Sequence, residues 1–363
     1  MIAARDYDVV FVGGGLSALL LLKALRGTLP GRVAVVDPSP PLEQPPVHWS
    51  YWSLGATPFD HFAVGAWRRA RVADAPPEPI APHTMRLVRS TDVFADLCAA
   101  LEGVEWLRTT ARSISRRGNL YEVATDDGAL RTSRVFDSAP EVAPEFPTPG
   151  RPRALLSGTG LRVTADRPVF DSETATLFDP LDERSFAYVL PLGPAEALVE
   201  SASFGPTGQG ADRAPLLRYL ETRHPGARFA VDHEEYGEIP LGFAPARTAG
   251  PGHVLLGAKR GLVKPSAGYG IVRIAEETEH LARLWRRRRP LPTTWRTGPH
   301  WRLLDEGFLR LATADPGRPL ALLREVMRAI PLSQSLSFID EELSLRQLPP
   351  LMRSAYPVVF GKL

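Results

Sequence analysis

Tyr7-Asp8-Val9-Val10-Phe11-Val12-Gly13-Gly14-Gly15-Leu16-Ser17-Ala18 decides the fold. An apolar run ends in three glycines, and an apolar helical pattern follows over 16–26. A second β-branched run, Val33-Ala34-Val35-Val36, closes on Asp37. This order of strand, glycine turn, helix, strand and acid is that of a dinucleotide-binding unit. Gly13 permits the tight turn, and Gly15 lets backbone N–H groups approach a pyrophosphate. Ala18 lets the helix pack closely on the strand. Asp37 lies about 20 residues on, where a carboxylate reaches a ribose hydroxyl. The glycine run also fits an ordinary strand–helix turn, but strand, helix and acid together favour the dinucleotide. The N-terminal position favours FAD over NAD, by analogy with flavoproteins that open this way.

The chain has 363 residues, enough for two or three interleaved subdomains around a large core. Hydrophobic residues make up 44% and charged residues 23%, which reads as soluble and globular. With 43 Lys plus Arg against 41 Asp plus Glu, no charge excess calls for a nucleic-acid partner. One basic run, Arg286-Arg287-Arg288-Arg289, fits either a solvated helix end or a contact with anionic lipid head groups. Cys98 is the only cysteine, which excludes an intrachain disulfide and suits a reducing cytoplasm. No apolar run approaches the roughly 20 residues that span a bilayer, so any membrane contact is expected to be peripheral, at the inner face. No signal peptide is expected, because the dinucleotide fold starts at once.

His48-Trp49-Ser50-Tyr51-Trp52-Ser53 reads either as an aromatic cover over a loop or as the wall of a cation-bearing pocket. A helix is expected over 91–101, capped by Ser90 or Thr91. Strands are expected over 104–107, 121–125 and 133–137, with Asp126-Asp127-Gly128 as a hairpin turn. From 152 to 242 short strands predominate, interrupted by a helix over 214–224, which predicts an inserted antiparallel sheet. A second strand leads through Gly261-Leu262-Val263-Lys264-Pro265-Ser266-Ala267-Gly268-Tyr269-Gly270 into a helix over 271–288. Such a segment is suited to present a positive helix end to a flavin ring. Apolar residues at helical spacing predict a helical C-terminal part, the last helix lying over 338–347.

Two neighbouring strands carry the candidate chemistry. Phe186, Tyr188 and Leu190 share one face; Leu198, Glu200, Ala202 and Phe204 share another. Glu200 is thus the one charge on a bulky apolar face. Such a carboxyl holds its proton near neutral pH and suits a general acid. Its other reading is an ion pair with an arginine at a sheet edge.

Taken together, these blocks resemble the lycopene cyclase family of FAD-dependent carotenoid cyclases. Gly13-Gly14-Gly15-Leu16-Ser17-Ala18 is similar to the family's FAD motif, and His48-Trp49-Ser50 to its His-Thr-Trp-Ser segment. Phe186-Ala187-Tyr188-Val189-Leu190-Pro191-Leu192 resembles its Phe-x-Tyr-x-Leu-Pro block. Leu198-Val199-Glu200 falls where the family has an apolar pair and an essential Glu; Ser201 stands where it has a second acid. Gly237-Glu238-Ile239-Pro240 and Pro265-Ser266-Ala267-Gly268-Tyr269 match two further segments, and Leu343 to Leu351 its tail.

The resemblance implies an α/β fold: a Rossmann-type FAD-binding domain of the flavoprotein-hydroxylase kind, an interleaved antiparallel substrate sheet and a helical C-terminal part. The expected divisions are 1–150 and 246–290 for FAD, 151–245 for substrate and 291–363 for the helical region. It implies non-redox, carbocationic cyclisation of a polyene end, from lycopene to a β-ring carotenoid or of a related terpenoid. The alternative is an FAD-dependent oxidoreductase, a prenyl reductase or monooxygenase, acting on a lipophilic isoprenoid. Expected catalytic residues are Glu200, Tyr188, Phe186 and Trp49. Expected FAD contacts are Gly13, Gly14, Gly15, Leu16, Ser17, Ala18, Asp37, Arg86, Gly257, Pro265, Gly268, Tyr269 and Gly270. No metal is expected. FAD would act in its reduced form, with NAD(P)H only as reductant. The partners expected are a hydrophobic polyene or isoprenoid and a membrane surface.

Overall fold

A computed structural model describes residues 5–99, 101–139, 143–144, 152–208, 210–243, 248–293, 295 and 297–343. Three sheets and seven α-helices make up the described residues. The helices are α1 (Leu16–Leu25), α2 (Ser90–Cys98), α3 (Ala214–Arg223), α4 (Ile271–Arg286), α5 (Pro299–Ala314), α6 (Arg318–Ala329) and α7 (Leu332–Ile339).

The first sheet has Arg5–Val12 at its centre, in parallel register with Gly128–Asp137 on one side and Val33–Val36 on the other. Val104–Leu107 extends it beyond Val33–Val36, and His253–Leu255 joins in parallel beside 135–137. Where the central strands are buried on both faces, over 9–12 and 33–36, they are continuous apolar runs, as parallel strands require. On one face Val9, Phe11, Val33 and Val35 pack with Leu19, Leu22 and Leu25 of α1 and Leu281 of α4. On the other, Val10, Val12 and Val36 pack with Ile114, Val123 and Val135. Asp126-Asp127-Gly128 forms the expected hairpin, with Thr125 paired to Gly128.

The second sheet runs in the order Phe229–Phe243, Pro152–Ala165, Glu196–Gly205, Ser185–Pro191, Thr174–Pro180, Arg69–Val72, Glu78–Pro79. It is antiparallel except where Thr174–Pro180 meets Arg69–Val72. The chain therefore crosses into this sheet once before 151, through 69–79, ahead of its main passage. One face packs Leu161, Val163, Val189 and Val199 against Leu216 and Leu220 of α3. The other packs Phe186, Leu190, Leu198 and Phe204 against Phe308, Leu323 and Leu336 from the C-terminal helices.

Two local expectations are corrected. The α2 N-terminus carries no side-chain cap; the Ser90 hydroxyl instead accepts the Val47 N–H at 2.9 Å, tying the helix to the strand His48–Ser53. The last described helix, α7, spans Leu332–Ile339, starting after Pro331 rather than at 338. Proline is favoured at such a start, having no N–H to lose. The tail over 344–363 lies outside the described residues.

Candidate active site

The first glycine turn is built as its sequence requires. Gly13 has φ +88°, and a Cβ there would lie 2.5 Å from the Ser138 hydroxyl. Gly15 N-caps α1, and a Cβ on it would meet nothing within 4 Å. No side chain caps α1 and no acid lies in its first turn. Its amides and positive end thus suit an anionic phosphate. Ala18 is fully buried against the sheet. Asp37 accepts the Gly14 N–H at 2.8 Å and the Ser39 N–H at 2.9 Å, bracing the turn. Trp106 donates its indole N–H to the Asp37 carbonyl at 3.0 Å, and its ring lies 2.1 Å from where a Gly14 Cβ would be. Gly13→Ala would force an L side chain into a left-handed backbone. It is expected to cost about 1–3 kcal/mol, seen as a lower denaturant midpoint with loss of the yellow absorbance of bound flavin.

The second glycine segment folds back onto the first. Gly257 has φ +56°, and its Cβ would lie 2.7 Å from the Ser17 hydroxyl. The turn 257–260 is fixed by buried charges: Lys259 Nζ lies 2.6 Å from Asp137 Oδ2, and Arg260 pairs with Glu277 of α4. The Pro265 loop closes on itself: the Lys264 N–H donates to the Tyr269 carbonyl and the Gly268 N–H to the Lys264 carbonyl, both at 2.8 Å. Gly268 has φ +72°, and Leu156 sits 2.3 Å from its would-be Cβ. Gly270 then N-caps α4, which has no side-chain cap and no acid in its first turn. A cavity of about 180 Å³ opens at this helix start, lined by Trp52, Thr57, Tyr269, Ile271, Arg273 and Asp340. Burial pushes the Asp340 carboxyl up to about 7, and it accepts the Trp52 indole N–H at 2.7 Å. Two uncapped helix starts joined by close-packed glycines fit an elongated anionic cofactor such as FAD.

Glu200 stands beside this segment. Strand register puts Tyr188 directly opposite it on one side and Gly160 on the other; Gly160 in turn faces Glu235. Phe186, Leu190, Leu198, Ala202 and Phe204 lie on the same face. Phe178, Phe186 and Tyr188 form a ring cluster with centroids 5.0–5.3 Å apart. Glu200 keeps some exposed surface as a residue, but apolar and aromatic neighbours from three strands desolvate its carboxyl. That burial, helped by the nearby Glu235 carboxylate, raises it to about 8. Burial also raises the Tyr188 and Tyr269 phenols, with the Glu200 charge adding to both. The two phenol oxygens are buried beside each other, with the Ser50 hydroxyl next to that of Tyr269, and neither makes a hydrogen bond of good geometry among the described residues. Unsatisfied buried polar atoms are costly, and they mark a place where a ligand or reacting group is met.

The structure brings Glu200, Tyr188, Phe186 and Tyr269 together; Trp49 does not join them. Alternation along His48–Ser53 points Trp49 the other way, where its ring packs edge-on against Phe94 of α2 at 5.3 Å. Trp52 is the indole on the site side, 4.0 Å from the Tyr269 ring. Tyr51 shares the Trp49 face, hydrogen-bonding Asp60 at 3.0 Å. Arg86 lies in that same network, 3.2 Å from Asp60 and donating to the Ser53 hydroxyl at 3.0 Å, away from Glu200. Sequence reasoning missed Glu235, whose carboxylate lies 2.8 Å from Nδ1 of His48, the first residue of the His48-Trp49-Ser50 block. The signal was the Gly237-Glu238-Ile239-Pro240 block, which sits two residues beyond Glu235.

Solved structures of flavoenzymes share this architecture. The chain is 17% identical to p-nitrophenol 4-monooxygenase PnpA from Pseudomonas putida, with a TM-score of 0.57 over 99% of this chain and 100% of that one. A variant of the halogenase PltM in complex with FAD matches at 15% identity and TM-score 0.55, over 92% and 82%. A geranylgeranyl bacteriochlorophyll reductase-like protein from Thermoplasma acidophilum matches at 13% identity and TM-score 0.54, over 98% and 96%. These likenesses define the class: a Rossmann-type flavoprotein fold with an interleaved sheet and a helical C-terminal part. The particular family follows from the sequence. A family model described as "Lycopene cyclase protein" matches residues 8–358, and the chain belongs to that family. No curated protein matches it.

Proposed function

We propose that this protein is an FAD-dependent cyclase that closes the end of a polyene, lycopene or a related terpenoid, into a ring without net redox change. The observation that carries the reading is Glu200: a carboxyl desolvated on an aromatic face, beside the two buried phenols of Tyr188 and Tyr269. A proton-initiated cyclisation needs such a group, neutral at working pH and held away from water. Glu200 protonates the terminal C=C. Phe186, Tyr188 and Tyr269 present ring faces to the cation, each contributing about 0.5–2 kcal/mol. The Gly13–Ala18 turn, Asp37, the 257–261 turn and the α4 start hold FAD; the open helix ends and the family support this. Bound there in reduced form, FAD supplies negative charge that shelters a cation, with NAD(P)H needed only to reduce it.

The polyene class is lipid-soluble, so we assign substrate uptake to the inner face of the cell membrane. The basic run at 286–289 supports this; it borders a surface hollow with Trp285 and Leu291. No described helix is long and apolar enough to cross a bilayer.

Expression in a lycopene-accumulating host, followed by chromatography and mass spectrometry of the pigments, tests the reading. A cyclic product of unchanged mass is expected. A product that gains two hydrogens or an oxygen would overturn the cyclase reading in favour of the oxidoreductase.

The pH dependence has a definite sign. Glu200 is an acid only while protonated, so ring formation should hold through neutral pH and fall as pH rises through about 8. The groups facing it are the Glu235 carboxylate and the Tyr188 and Tyr269 phenols; the phenols are raised above their usual range and stay neutral across this window. A rate–pH profile on purified enzyme checks it.

A further inference from the structure

Cyclisation also requires a base, because the cation formed after ring closure must lose a proton. Ser201, which stands where the family has its second acid, cannot serve. It alternates onto the opposite face of the strand from Glu200, the face covered by α3, with its hydroxyl 3.4 Å from the Thr159 carbonyl. A second carboxylate reaches the Glu200 face from another strand. Glu235 and Glu200 both pair with Gly160, one from each side, which sets their Cα atoms about 10 Å apart, two strand spacings. Gly160 has no side chain, and Glu235 fills the gap: its Cγ lies 2.7 Å and its Oε1 3.1 Å from where a Gly160 Cβ would be. The carboxylate thus leans over the intervening strand toward Glu200. Its side chain is 7% exposed and held in place by the strand His48–Ser53. The His48 N–H donates to Oε2 at 3.1 Å, His48 Nδ1 lies 2.8 Å from the same oxygen, and His233 Nε2 lies 3.3 Å from it.

We propose that Glu235, oriented by His48, is the base that takes the proton leaving the cyclised cation, opposite the acid Glu200. This rests on the cyclase reading above. The step balances. The Glu200 proton forms a C–H bond at the terminal alkene, and a neighbouring C=C pair forms the ring C–C bond. A C–H bond next to the new cation then breaks, its electrons forming a ring C=C and its proton passing to the Glu235 carboxylate. Solvent exchange returns a proton to Glu200 and removes one from Glu235. No oxidant or reductant is consumed. The arrangement is two carboxyls with divided tasks, one buried among apolar side chains and one held by the His48 imidazole and backbone N–H.

The test uses purified, flavin-loaded enzyme with polyene in D2O. Glu235→Gln keeps the shape and the backbone hydrogen bond, and should lower ring product by about 10²–10⁴-fold. Recovered substrate should carry deuterium, because Glu200 still protonates the alkene and the cation reverts. His48→Asn should lower the rate less and shift the rate–pH profile, with flavin absorbance unchanged; it is decisive if Glu235→Gln folds poorly. Ring formation near the wild-type rate in Glu235→Gln, with Glu200→Gln inactive, would overturn the base assignment alone. Ring formation retained in Glu200→Gln would instead place the acid elsewhere, and a product that gains two hydrogens or an oxygen would sink the cyclase reading. Activity lost to a chelator and restored by a divalent metal would make His48, His233 and Glu235 a metal site and also overturn the base assignment.

Discussion

Glu200→Gln is expected to bind flavin like the wild type and to lose ring formation by about 10²–10⁴-fold, the usual cost of removing a general acid. The substitution is isosteric, so the apolar face formed by Phe186, Leu198, Ala202 and Phe204 keeps its packing. What is lost is the proton. Stability provides an internal control with a known sign. The folded-state carboxyl lies at about 8, above its unfolded value. Its favourable contribution is therefore complete below the unfolded value and is lost as pH rises through about 8. The variant lacks this loss, so its stability should match the wild type in acid, gain on it as pH rises from about 4.5 to about 8, and keep a constant lead above that. Denaturant midpoints across that range, measured with rates, separate chemistry from folding. A variant that cyclises normally would place the acid elsewhere.

Glu277→Ala is expected to cost about 3–5 kcal/mol, because it removes one partner of a buried ion pair. The Arg260 side chain is fully buried and that of Glu277 is 3% exposed. Arg260 also donates to the Leu255 carbonyl at 3.2 Å and the Pro292 carbonyl at 2.9 Å. One guanidinium thus fixes strand 253–255, the 257–260 turn and α4 relative to each other. Against a total stability of about 5–15 kcal/mol, such a loss endangers folding at growth temperature and should empty the flavin site first. Glu277→Gln retains a neutral acceptor and should cost less. A shift below about 1 kcal/mol for the alanine variant would mean that water reaches Arg260, contrary to its burial.

The parts of this molecule that were legible in sequence are those with a local cause. Gly13, Gly15 and Ala18 announce their turn and helix by spacing, and Asp37 by distance. Alternation alone put Tyr188 and Glu200 on apolar faces, and the register confirms that they are direct neighbours. What was not legible depends on pairing between distant strands. Nothing in the stretch around Glu235 says that it lies beyond Gly160 from Glu200, because a strand's partner is set by tertiary packing. Trp49 was misgrouped for a related reason. Three aromatics in four positions look like one cluster until the segment is seen to be a strand, whose alternation splits Trp49 and Tyr51 from Trp52. The early crossing at 69–79 was invisible because short edge strands carry little periodic signal. Nothing local marks Lys259 and Arg260 as buried, since only the folded chain shows the acids that meet them.

The most direct measurement is turnover in D2O with mass analysis of the ring product. If Glu200 starts the reaction by protonation, each ring formed should carry one solvent deuteron, and the count of hydrogens plus deuterons should equal that of the open polyene. Deuterium uptake should vanish in Glu200→Gln. A cyclic product with no deuterium, or one with two added hydrogens, would contradict the account.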